Sequence, residues 1–106
     1  MPDTEAIRNL NDQFRTSLIG GCIVATPGIV SRDDVSIIIG KVRKFDEFSP
    51  DNDPYGEHDF GSFEHDGETI FWKIDYYDNG LKAGSANPAD ASVTTRVLTV
   101  MLADEY

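Results

Sequence analysis

Cysteine occurs once in the 106 residues, as Cys22, which excludes an internal disulfide framework and any cysteine-based zinc centre. Histidine occurs twice, as His58 and His65, so no histidine-rich metal site can be assembled. Long apolar runs are missing. The longest, Cys22–Ala25 and Ile37–Ile39, fall far short of the roughly 20 residues that a membrane-spanning helix needs. The polar start, Met1 to Arg8, lacks the apolar stretch of a secretory leader. Gly20-Gly21 and Gly28 match no phosphate-binding fingerprint, and Ser85 and Ser92 sit in no nucleophile elbow. A lone thiol suits a reducing compartment, so the expected setting is cytoplasmic, without membrane or cofactor. The length fits one domain, residues 1–106, with one modest core.

Basic residues are scarcest where acidic ones are densest. Eleven of the nineteen acids lie between Asp46 and Asp78, against a single base, Lys73. The rest of the chain balances eight acids with eight bases, so the whole formal charge of −10 resides in that segment. Such a field repels itself, and it serves either solubility or the attraction of an oppositely charged partner. It also disfavours direct contact with nucleic acid or anionic lipid, both of which call for positive charge. Any partner of this surface is expected to be a basic protein.

Periodicity gives the elements. Asp3 or Thr4 caps a first helix in which Ile7, Leu10, Phe14 and Leu18 form one apolar stripe, stopped at Gly20-Gly21. Cys22–Thr26 reads as a buried strand ended by Pro27-Gly28. Ser31 with Asp34 resembles a capping box and opens a second helix with Val35, Ile38, Val42 and Phe45 inward. After a loop, Ser49–His58, the dipeptide Asp66-Gly67 predicts a hairpin between Phe60–Glu64 and Thr69–Tyr77. A two-residue turn there sets Gly61 opposite Trp72, Phe63 opposite Ile70, and, further out, His58 opposite Asp75. Ile70, Trp72 and Ile74 face the core; Phe60, Phe71, Lys73 and Asp75 face away. Thr94–Tyr106 mixes helical spacing with β-branched residues and is assigned to a strand, because a hairpin alone is marginal. The expected fold is α+β, with two helices packed on one face of a small, mostly antiparallel sheet of three to four strands.

The runs DNDPYGEHDFG (Asp51–Gly61), FWKIDYYD (Phe71–Asp78) and TRVLTVMLADEY (Thr95–Tyr106), with LNDQFR (Leu10–Arg15) before them, resemble a bacterial domain-of-unknown-function family of small proteins. The resemblance covers nearly the whole chain. It implies no particular activity. Proteins that look like this are often encoded on plasmids and other mobile elements, near genes that counter host defence, and the resemblance therefore implies a role in counter-defence.

Candidate chemistry is thin. Asp51–Gly56 opens like a calcium loop, but Tyr55 and Ser62 stand where ligands belong, and a turn-rich connection accounts for the same residues. Glu57, His58 and Asp59 could serve a small metal-dependent hydrolase, although His58 and His65 would fall on opposite faces of the strand. Cys22 lacks a neighbouring base and reads as a buried thiol. No catalytic or metal-binding residue is therefore assigned. The leading expectation is a non-enzymatic acidic binding module of the anti-CRISPR or anti-restriction type. It would occupy the basic nucleic-acid-binding groove of a nuclease or RNA-guided defence complex through Asp51, Asp53, Glu57, Asp59, Glu64, Asp66 and Glu68. The alternatives are the hydrolase and an oligomeric accessory subunit; the sequence leaves the oligomeric state open.

Overall fold

The computed structural model describes residues 3–106; Met1 and Pro2, at the polar start, lie outside them. Helix α1 (Thr4–Ser17) begins at Asp3, whose carboxylate accepts from the Ala6 N–H at 3.0 Å, and it closes at Leu18 in the left-handed region. Strand β1 (Gly21–Ala25) follows, then a short helix α2 (Pro27–Val30) that the expected architecture lacked. Proline at a first helical position breaks a strand and starts a helix with equal ease. Helix α3 (Val35–Lys44) packs Ile38 and Val42 inward. Asp34 occupies its N-cap position without a side-chain bond to the helix, and the Ser31 hydroxyl turns back to Gly28, so no capping box forms.

Strands β2 (Phe60–His65), β3 (Glu68–Tyr77) and β4 (Thr95–Leu102) complete a sheet ordered β1-β4-β3-β2. The β2–β3 and β3–β4 pairs are antiparallel and β1–β4 is parallel, a mostly antiparallel sheet in an α+β fold. The C-terminal segment is a strand, and the hairpin register is the one that the Asp66-Gly67 turn dictates: Gly61 faces Trp72 and Phe63 faces Ile70. Asp66 and Gly67 have φ of 50° and 78°, the positive pair that a type I′ turn requires.

Ile70, Trp72, Ile74, Leu98 and Val100 line the inner face, fully or nearly buried against Phe14, Ile29, Ile38 and Val42. Trp72 lies on Gly61 so closely that a Cβ there would sit 2.3 Å from the indole nitrogen. The outer face carries Phe60, Phe71 and Tyr106 as an edge-to-face aromatic group, with Lys73 paired to Asp75 at 3.1 Å. Among the described residues, no helix is long and apolar enough to cross a membrane.

Candidate functional site at the acidic hairpin edge

Strand β2 is an edge, and its register tells which backbone groups are free. His65 and Glu68 close a two-residue turn and are therefore a hydrogen-bonded pair; alternation then turns the N–H and C=O of Ser62 and Glu64 away from β3. The bond from Ile74 N–H to Asp59 C=O, at 2.8 Å, keeps the same phase. Beside this edge lies a groove of about 570 Å³ between α3 and β2. Lys41 and Lys44 supply one wall, Phe63 and Glu64 the other, and Asp46 and Glu47 stand at its end.

The tip of the hairpin is tied down by charge. Arg32 donates to Asp34 at 2.9 Å and to Glu68, and it lies 3.7 Å from Asp66. Buried His65 sits between α3 and this cluster, with Nε2 2.7 Å from Asp34 and Nδ1 2.7 Å from the Lys41 ammonium. An ammonium only donates, so Nδ1 accepts and Nε2–H donates to Asp34. The hydrogen bond from Arg32, followed by that from His65, holds the Asp34 carboxyl far below its ordinary range. Asp34, His65 and Asp66 bring three potential metal ligands within 4.8 Å of one another, the sole such grouping among the described residues. Arg32 and Lys41 already engage those groups, so the arrangement is a compensated charge network.

Of the residues expected to meet a partner, Asp51, Glu64, Asp66 and Glu68 are exposed, while Asp53, Glu57 and Asp59 are drawn into the loop. Asp53 is 8% exposed and accepts from the His58 N–H at 3.2 Å. Glu57 accepts from the Tyr76 hydroxyl at 2.7 Å, and its carbonyl accepts from Asn11 at 2.9 Å. Burial, then the charge of Glu57, pushes the Asp59 carboxyl up. Burial and donation to Glu57 push the Tyr76 phenol far up as well. The DNDPYGEHDFG run is thus largely a loop-building motif: Asn52 alone joins Ser49 to Glu47, at 2.8 Å each.

His58 does not face Asp75. Its φ of 55° turns the chain before the strand begins at Phe60, so the hairpin register does not extend to it. The ring instead stacks on Phe48 at 3.7 Å and meets Asp12 at 2.9 Å. Glu57 thus engages Tyr76, His58 engages Asp12 and Phe48, and Asp59 lies within reach of the Glu57 charge. Cys22 is exposed because β1 is an edge strand, with β4 as its one strand neighbour among the described residues.

Three buried polar residues escaped the sequence pattern. Asn11 and Arg15 share the inner stripe of α1, and Arg96 lies on the inner face of β4. Arg96 donates to Asn11 at 2.7 Å, and Arg15 donates to the carbonyls of Val42 at 2.9 Å and Phe45 at 2.8 Å. The signal was there in Asn11 and Arg15, polar side chains at helical spacing from Ile7 and Leu18 on the stripe that Phe14 shares.

Fold and site together define a small α+β domain with one acidic sheet edge at β2. Residues 22–105 match the family described as "Protein of unknown function (DUF3768)", and the chain belongs to that family. No curated protein and no solved structure matches it.

Proposed function

We propose that this chain is a non-enzymatic, cytoplasmic binding module that meets a basic protein surface through the acids of the β2 edge and the preceding loop. The observation that carries the reading is the position of Asp51, Glu64 and Asp66, all exposed, around a strand edge whose backbone groups at Ser62 and Glu64 have no strand beside them among the described residues. Acids placed so attract a basic surface over a distance, and the edge gives an extended segment something to pair with. Asp53 and Glu57 support this surface from beneath by shaping the loop, and Asp59 lies half-buried beside them. In its narrower form the partner is the nucleic-acid groove of a host nuclease or RNA-guided defence complex, as the mobile-element setting of similar proteins implies.

Competition tests the narrower form. The chain is immobilised, a partner is captured from the native host, and an oligonucleotide is titrated into the purified complex. Displacement of the chain by nucleic acid, and steep weakening with salt, are expected. A captured partner that holds nucleic acid and this chain at once, with unchanged affinities, would refute groove occupation.

A further inference from the structure

The opposite edge of the sheet has a different character. Leu18–Ser31 contains no charged residue, and within it β1 exposes Cys22, Ile23 and Val24. Natural edge strands are commonly blunted by lysine, internal proline or a bulge, and β1 has no charge and no proline. The Thr26 N–H bonds to the Val100 carbonyl at 3.1 Å, which fixes the phase of the strand. Cys22 and Val24 therefore direct their backbone groups to β4, whereas Gly21, Ile23 and Ala25 direct theirs outward.

We infer that β1 is a self-pairing edge, on which a second copy of this chain docks antiparallel about a two-fold axis at Ile23. Three outward residues spaced evenly about Ile23 are self-complementary. Ile23 bonds its own counterpart, Gly21 bonds the other copy's Ala25, and all six outward groups find partners. The same register sets Ile19, 79% exposed, across from Pro27 at the start of α2. Charge favours this edge over the acidic β2 edge for like copies. In the joined sheet the two β2 strands stand seven spacings apart, about 34 Å at about 4.8 Å each. That exceeds the screening length of about 8 Å several times over, so two chains of −10 associate here without bringing their acidic segments together. A basic or acidic partner would find no complement on this strand.

Light scattering over a wide concentration range, combined with two substitutions, tests the pairing. Wild type is expected to pass from monomer to dimer as concentration rises. Ile23→Pro removes only an outward N–H and should leave a folded monomer at every concentration. Ile23→Lys serves the same purpose should proline disturb the strand. In the paired register Cys22 faces Val24 of the other copy as a non-hydrogen-bonded pair, with Cα atoms about 4.5 Å apart, within disulfide reach. Val24→Cys should therefore oxidise to a covalent dimer, and wild type, whose thiols do not meet, should not. Wild type monomeric throughout, or a dimer that persists in both Ile23 variants, would overturn the inference.

Discussion

Trp72 and Asp59 show how far single residues commit this fold. Truncating a buried tryptophan costs about 3–5 kcal/mol, against a typical total of about 5–15 kcal/mol. Trp72→Ala should therefore be unfolded or nearly so by circular dichroism; a cooperative melt near the wild-type temperature would contradict its place in the core. Gly61→Ala probes the same contact from below: its methyl group meets the indole, and overpacking of this kind costs about 1–3 kcal/mol in urea titration. Asp59 works in the other direction. Its folded pKa is raised, so the folded state binds its proton more tightly than the unfolded chain does. Stability then declines as pH rises from the ordinary value of 3.8 through the raised one, and the penalty persists at neutral pH. Asp59→Asn should melt higher than wild type at neutral pH and show a flatter acid profile in calorimetry. An equal or lower melting temperature would place a stabilising partner on the ionised carboxylate.

At the scale of elements, the end of α3 depends on α1. Helix C-termini leave carbonyls unsatisfied, and Arg15 supplies a buried cation to those of Val42 and Phe45 while lying over Phe48 and Trp72. Arg15→Met keeps the bulk and loses the donors, and should cost about 1.5–3 kcal/mol in denaturant unfolding. A loss indistinguishable from zero would mean that packing alone holds the helix end. The hairpin was legible in the sequence because Asp66-Gly67 determines its own turn, and a two-residue turn leaves one register. The inner stripe of α3 and the strand at Thr95–Leu102 were legible for a similar reason, since periodicity and β-branching are local. Cys22 was not. Four apolar residues, Cys22–Ala25, read alike whether a strand lies at the centre or the edge, and only the order β1-β4-β3-β2 decides exposure. The roles of His58 and Glu57 were hidden too, because their partners Asp12 and Tyr76 lie 46 and 19 residues away.

The whole molecule separates two surfaces. The acidic segment gathers at the β2 edge and its loop, and the uncharged segment forms β1 on the far side of the same sheet. The charge asymmetry was visible in the sequence; which carboxylates remain free was not, since Asp53 and Glu57 are used inside the loop. In the proposed function, the position of charge, beyond its amount, governs partner association. The direct measurement is the association rate with the captured partner, as a function of salt, for two variants that each remove two charges. Asp51→Asn with Glu64→Gln neutralises the β2 edge and loop; Glu5→Gln with Asp90→Asn neutralises exposed acids of α1 and of the connection before β4. Slower association and a flatter salt dependence are expected for the first pair alone, with both variants folded as wild type. Equal slowing by both pairs, or by neither, would contradict it.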